Sequence, residues 1–226
     1  MKIKGIVKQL LLWAIVPLIV ILGVVIFNDR AYGWISLCVA VCGCIPFFLT
    51  FEKRQNSTTR LVIIAVLVAL SVAGRFVFSF LPHFKPVTAM VVITGIYMGY
   101  EAGFVCGAFT ALISNFIFGQ GPWTPFQMFA WGLIGLLAGL LSKYLKKNIF
   151  LLLLFGAFAG ILFSAMMDVW STLWYDGVFN LSRYIANVLS ALPISISYAV
   201  SNVVFLLVLA KPFGNKLQRL KTKYEI

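Results

Sequence analysis

The stretch LVIIAVLVALSVAGRFVFSF, residues 61–80, decides the fold class of this protein. It is apolar over a length close to the ~20 residues that an α-helix needs to cross the hydrocarbon core of a bilayer. Its one charge is Arg75, which lies in the outer part of the predicted span. An intramembrane charge is costly and usually faces a cavity or a partner, although a long side chain can also reach the interface. The stretch therefore predicts a transmembrane helix with a functional cation.

The rest of the chain has the same character. The 226 residues are 62% hydrophobic and 11% charged, whereas a soluble domain is about 25% charged. We therefore expect an all-α integral membrane protein with about eight spans, the fourth of them short. The predicted helices cover residues 9–27, 32–50, 61–81, 87–99, 102–118, 126–142, 149–167 and 184–209.

The basic residues indicate how the chain is oriented. Lysine and arginine are concentrated in one set of connecting segments, and the other loops hold only Arg30, Lys85 and Arg183. The positive-inside rule makes the rich side cytoplasmic and places both termini there. This topology explains the net charge of +12 without a nucleic-acid partner. We expect a multi-pass protein of the cell membrane, of prokaryotic type.

Composition divides the chain into three parts. Residues 1–60 read as an accessory transmembrane hairpin, residues 61–210 as a six-helix functional core, and residues 211–226 as a basic cytoplasmic tail. Glycines recur at four-residue spacing in the core, which predicts closely packed helices. They are Gly95, Gly99, Gly103 and Gly107, with Gly132, Gly135 and Gly139 further on.

Small residues also line one face of the first core helix. Ala65, Ala69 and Ala73 are spaced four apart, and such faces let another helix approach closely in lipid. The spacing fits a neighbour in the same bundle and a docking face for another subunit equally well.

The segment SNFIFGQGPWTPFQMFAWG, residues 114–132, interrupts the apolar pattern with amides, prolines, glycines and tryptophans. Amides donate and accept hydrogen bonds, and aromatic rings supply apolar area. This combination is typical of a pocket wall; an interfacial loop with an aromatic belt is the alternative. The residues that would line the pocket are Asn115, Gln120, Trp123, Gln127 and Trp131.

Further polar candidates lie at the same outer level. Asp168 or Asp176 would be a suitable partner for Arg75. His83, the single histidine, sits in an outer loop beside Lys85 and fits a hydrogen-bonding surface group or, less naturally, a metal ligand. The cysteines lie in apolar runs without a Cys-x-x-Cys motif, so we predict no metal site.

Several motifs of catalysis and energy coupling are missing from the sequence. It contains no P-loop, no His-Glu-x-x-His and no Gly-x-Ser-x-Gly motif. The predicted spans also lack the paired acids expected of a proton-coupled carrier. A protein that binds from outside without an energy source of its own needs partners, and we expect it not to be an enzyme.

The core resembles the substrate-binding S component of energy-coupling factor (ECF) vitamin transporters. Six core helices, both ends inside and the alanine face carry this resemblance, which covers roughly residues 60–210. It implies that Ala65, Ala69 and Ala73 contact the coupling helices of a shared transmembrane subunit, beneath which two ATPases sit. It further implies that the S component topples in the membrane to carry its vitamin inward.

Two segments look like the cobalamin-type S component: GRFVFSFLPHFKPVTA, residues 74–89, and SNFIFGQGPWTPFQMFAWGLIG, residues 114–135. The resemblance implies that cobalamin is the transported ligand, with no resident cofactor, and that loop 82–86 is a lid. The amides would then pair with those of cobalamin, and the tryptophans would cover its apolar parts. The expected substrate residues are Arg75, His83, Lys85, Asn115, Gln120, Trp123, Gln127, Trp131 and Asp168.

Other functions remain open from the sequence. The chain could serve another vitamin or precursor, such as a queuosine precursor, folate or riboflavin. A stand-alone channel or carrier would transport without ATP. An enzyme acting on lipids would have only Asp168 and His83 to offer as a catalytic pair, and a scaffold would leave Arg75 and the amides unexplained.

Overall fold

The computed structural model describes residues 58–224 and Cys44. The predicted hairpin at residues 1–60 lies almost entirely outside the described residues. Within residues 58–224 all regular elements are helices. They are α1 (Thr58–Val77), α2 (Val87–Met98), α3 (Tyr100–Phe118), α4 (Thr124–Leu140), α5 (Ser142–Leu145), α6 (Ile149–Asp176), α7 (Leu181–Ser190) and α8 (Leu192–Tyr224).

Four of these helices, α1, α3, α6 and α8, are long and apolar enough to cross a membrane, while α2 and α4 are shorter apolar helices. The expectation of an all-helical membrane protein is confirmed in this coarse form. The count of eight spans and the side on which the termini lie stay predictions.

The centre of the bundle is α2. Every residue of this helix except Tyr97 is buried, and it contacts α1, α3, α4, α6 and α8. Its sequence is apolar on all sides, which is the pattern of a helix enclosed by others. Most of the remaining core consists of buried aliphatic and aromatic side chains on the helices around it.

Glycine allows α2, α3 and α4 to touch through their backbones. A Cβ atom added to Gly95 or Gly103 would collide with the carbonyl oxygen of Gly135, and one on Gly107 would collide with the backbone of Trp131. The predicted role of these glycines in internal packing is confirmed. Gly99, with φ of 100°, forms the sharp turn between α2 and α3 that a side chain would strain.

The C-terminal helices differ from the sequence prediction. The helix expected to end at residue 167 continues to Asp176. It ends there because the next residue, Gly177, adopts a left-handed conformation that terminates the helix. The helix expected at 184–209 is divided at Ala191, and Pro193 lies in the first turn of α8, where proline is favoured. Residues 211–224, predicted as a basic tail, are helical as part of α8.

The two ends of the bundle differ in the number of basic residues that they carry. Arg60 donates to the carbonyl oxygen of Met98, and Lys146 lies over the ring of Tyr97, so these basic residues lie at one end together with the basic C-terminal part of α8. The positive-inside rule predicts that this end faces the cytoplasm. We call the opposite end, which contains Arg75 and the 78–86 loop, the outer end.

Candidate functional site

Arg75 is the central cation of the outer end. It lies near the end of α1 and is only 9% exposed. Its Nη1 donates to Oγ of Ser114 and, over 2.9 Å, to Oδ1 of Asn115. The guanidinium carbon lies 4.7 Å from the ring centre of Phe118 and 5.3 Å from that of Trp131. Two aromatic faces and two neutral acceptors therefore hold the charge in place.

The pairing expected between Arg75 and an outer carboxylate does not occur. Asp176 instead accepts a hydrogen bond from Arg183. Asp168 lies on the face of α6 that also carries Ser164 and Thr172; these bond to Ser195 of α8 and Asn187 of α7. Side chains four residues apart share a helix face, so Asp168 belongs to the side of α6 that faces α7 and α8.

The amides of the outer corner bond mainly to one another. Nδ2 of Asn115 donates to Oγ1 of Thr124 over 3.0 Å and to Oε1 of Gln127 over 2.8 Å. Gln120 donates to the carbonyl oxygen of Leu112 and accepts from Thr124. Asn115 thus has every polar atom of its side chain engaged. Gln127 keeps its Nε2 without an acceptor among the described residues, so it is the amide best placed to meet a ligand.

The loop between α1 and α2 is attached to α8. Ser201 accepts from the backbone nitrogen of Lys85 over 2.9 Å and donates to its carbonyl oxygen over 3.1 Å. His83, at φ of 60°, has its Nδ1 3.3 Å from the hydroxyl oxygen of Tyr198. Nζ of Lys85 lies 5.5 Å from the ring centre of Phe118. The loop therefore reaches across the outer end from α1 to α8.

Burial and like charge act together on the basic groups of this loop. Burial lowers the pKa of His83, and the positive charge of Lys85 lowers it further. The pKa of Lys85 is lowered by burial and then by the charge of Arg75. Both effects disfavour additional positive charge at the outer end.

Aromatic contacts close the arrangement. The rings of Trp131 and Phe163 stack with centres 4.8 Å apart, and Phe163 meets Tyr198 edge to face at 5.4 Å. Contacts can then be followed round the whole outer end. We call this circuit the outer ring; its members are Arg75, Phe118, Trp131, Phe163, Tyr198, His83 and Lys85.

Trp123 lies in a second aromatic cluster beside the outer ring. Its ring meets Trp170 at 6.2 Å, and Trp170 stacks on Trp174 at 5.5 Å. The structure therefore separates the predicted site residues into three groups. Arg75, His83, Lys85 and Trp131 belong to the outer ring, and Asn115, Gln120 and Gln127 form a supporting amide network. The side chains of Trp123 and Asp168 form no hydrogen bond or ring contact with either group within residues 58–224, although the backbone oxygen of Trp123 accepts from the backbone nitrogen of Gln127.

Three buried polar atoms near the outer end have no hydrogen-bond partner within residues 58–224: Nε1 of Trp131, Nε1 of Trp170 and Oδ2 of Asp168. Buried polar groups are nearly always satisfied, so each exception needs an explanation such as a water or a ligand. A ligand that reaches between α4 and α6 would explain them.

Sequence reasoning missed Phe163 and Tyr198. Phe163 lies in an apolar helix where nothing distinguishes it from its neighbours. Tyr198 had a usable signal, because Ser195, Tyr198, Ser201 and Asn202 form a polar stripe at helical spacing on an otherwise apolar helix.

The alanine face of α1 points away from the bundle. Ala65, Ala69 and Ala73 are all exposed, while Ile64, Leu67 and Val68 on the same helix are buried. The alternative that this face packs against another helix of the same bundle is therefore wrong for the described helices. Docking against another subunit stays a prediction.

Metal binding has no support in the part of the chain that is described. Residues 58–224 and Cys44 contain no group of three or more histidine, cysteine or acidic side chains that could hold a metal ion. Cys106 is buried and free. The hydrogen-bond partner of His83 is Tyr198, and not another histidine, a cysteine or an acidic residue.

Comparison with known protein families gives a match for this chain. The model of the family described as "ECF-type riboflavin transporter, S component" matches residues 55–219. No curated protein and no solved structure matches the chain. The match spans all of the helices that surround the outer ring and most of the sequence. The chain therefore belongs to the S components of ECF-type transporters, the membrane subunits that bind the substrate and are not themselves enzymes.

Proposed function

We propose that this chain captures a vitamin at the outer ring and delivers it inward together with an ECF transmembrane subunit and two ATPases. Membership of the S-component family supports the general role. The observation that carries the site is the position of Arg75, a buried charge between the rings of Phe118 and Trp131. A desolvated cation between aromatic faces is an effective binding group for an electron-rich, flat ligand.

Cobalamin is the ligand we propose first. The segments 74–89 and 114–135 resemble the cobalamin-type S component, and they contribute Arg75, Lys85 and Trp131 to the outer ring. Fewer amides are available to the ligand than the sequence predicts, because the side chains of Asn115 and Gln120 bond within the protein. Gln127 remains as the amide that could meet a ligand.

Riboflavin is the second candidate, and the description of the matching family favours it. Its flat ring system could stack on the aromatic members of the outer ring, and its carbonyl oxygens would accept from Arg75. The described contacts suit both vitamins, so a direct comparison of ligands is needed.

The test is a binding titration of the purified chain, alone and with an ECF module, in which intrinsic tryptophan fluorescence reports binding. The ligands are cobalamin, riboflavin, folate and a queuosine precursor. Saturable binding of cobalamin supports the first proposal, and binding of riboflavin alone replaces it with the second. Binding of neither, but of another vitamin, keeps the general role and discards both ligands.

A reconstituted system tests the proposed role in transport. Liposomes that contain the chain with the ECF module should take up the bound vitamin only with ATP inside. Uptake by the chain alone without ATP would indicate a stand-alone carrier and contradict the proposal.

A further inference from the structure

The outer ring holds two positive charges that share one aromatic ring. The guanidinium of Arg75 lies 4.7 Å and the ammonium of Lys85 lies 5.5 Å from the centre of Phe118. Neither forms an ion pair with a carboxylate among residues 58–224. Placing two like charges together in a partly buried site is unfavourable unless an opposite charge compensates them. The ligand is the natural source of that compensation.

Hydrogen-bond donors are in surplus at the same place. Arg75 uses Nη1 for both of its hydrogen bonds, which leaves Nε and Nη2 without an acceptor in the described part of the chain. Nε1 of the neighbouring Trp131 is buried and has no hydrogen-bond partner within residues 58–224. Arginine, lysine and tryptophan side chains can only donate. A group that satisfies them must offer several acceptor oxygens.

We propose that Arg75, Lys85 and Trp131 form an oxyanion subsite that binds a phosphate group of the transported ligand. A phosphate carries negative charge and directs its oxygens to several sides, so it can meet donors from α1, α4 and the 78–86 loop together. This inference rests on the proposed function, because it takes the outer ring to be the vitamin site. Cobalamin contains a phosphodiester, whereas riboflavin has no phosphate.

Two ligand pairs that differ by one phosphate group test the subsite. They are cobinamide with cobinamide phosphate, and riboflavin with flavin mononucleotide. For whichever pair binds the purified full-length chain, the phosphate-bearing member should bind about tenfold more tightly or better, as expected for charge-assisted hydrogen bonds. Equal or weaker binding of the phosphate-bearing member would overturn the proposal.

Two variants assign the effect to the charges. Lys85→Gln should remove most of the preference for phosphate, measured as the ratio of the two affinities, and should leave the loop in place, because Ser201 bonds to the backbone of Lys85. Arg75→Lys keeps the charge and should retain part of the preference. The matched control is Arg183→Gln, which removes an exposed outer charge paired with Asp176; it should change neither affinity. A preference that survives Lys85→Gln unchanged contradicts the assignment.

A separate readout distinguishes failure of the subsite from failure of the vitamin proposal. If neither cobalamin nor any of these four ligands binds, the proposed ligands are wrong, and inorganic phosphate becomes the probe. At constant ionic strength, phosphate should raise the Tm of the wild-type chain relative to chloride, and Lys85→Gln should reduce the shift. No phosphate-dependent shift would reject the subsite as well.

Discussion

Oδ1 of Asn115 lies 2.9 Å from Nη1 of Arg75, which joins α3 to α1 through the most buried charge of the outer end. The same Asn115 side chain donates to Thr124 and Gln127 of α4. One amide therefore connects three helices and fixes the orientation of the guanidinium.

Replacing Asn115 should weaken the whole outer end. Asn115→Ala leaves partners on α1 and α4 unsatisfied in a buried place, and we expect a loss of about 2 kcal/mol or more in stability. Thermal unfolding in detergent measures it as a lower Tm. Gln120→Ala is the control, because Gln120 is exposed and its loss should cost at most about 1 kcal/mol. Equal losses for both variants would contradict the central role of Asn115.

Gly103 should not tolerate a methyl group. A Cβ atom there would meet the carbonyl oxygen of Gly135, which belongs to a helix backbone that cannot move alone. Gly103→Ala should therefore destabilise the protein by about 1–3 kcal/mol. At Gly156 the added Cβ would meet the end of the Leu206 side chain, which can change rotamer. Gly156→Ala should have a clearly smaller effect on Tm; the reverse order would refute this reading of the helix contacts.

The exposed alanine face should matter for assembly and not for folding. Ala69→Leu enlarges a side chain that no described helix covers, so Tm and vitamin binding by the isolated chain should stay near wild type. Co-purification with the ECF module should fall strongly, because a small-residue face requires close helix approach. Ile161→Phe, an enlargement on the exposed surface of α6, is the control. Undiminished assembly of Ala69→Leu would exclude this face as the docking surface.

His83 should make the protein less stable in acid. Its folded-state pKa is lowered by burial and by Lys85, so below pH of about 6.5 the unfolded chain takes up this proton more readily than the folded one. Stability is therefore lost as the pH falls through that value and towards the folded pKa. The groups that face His83 are Lys85, itself near Arg75, and Tyr198.

The measurement is Tm against pH for the wild type and for His83→Gln. We expect the wild type to lose more stability than the variant between pH 7.5 and pH 5.5, a window chosen around the ordinary histidine pKa of about 6.5. Parallel curves would show that titration of His83 does not contribute.

The sequence predicted the elements whose signal is local. The segments 87–99 and 102–118 correspond closely to α2 and α3, because apolar length and a glycine at the break are sufficient to define them. The ends of α6 and α8 could not be predicted in this way. Hydropathy marks only where the apolar run stops. The aromatic and basic residues that follow remain helical, so the helix ends lie beyond that point.

The candidate site was predicted in part. Arg75 and Trp131 stood out, one as an intramembrane charge and the other within a polar, aromatic corner, and both belong to the outer ring. Asp168 was expected near Arg75 because the two share a depth in the membrane. Depth fixes one coordinate only, and the rotation of α6 directs Asp168 towards α7 and α8.

By itself the sequence determined that this chain enters a membrane, which end carries the basic residues and which helices approach closely, since each follows from local composition and spacing. Only the tertiary structure decided which polar groups are already satisfied. Every polar atom of the Asn115 side chain is engaged, whereas Trp131 and Arg75 keep donors that have no acceptor among the described residues. The contact of His83 with Tyr198 joins residues 115 positions apart. The packing of helices creates such contacts, and no local pattern specifies them.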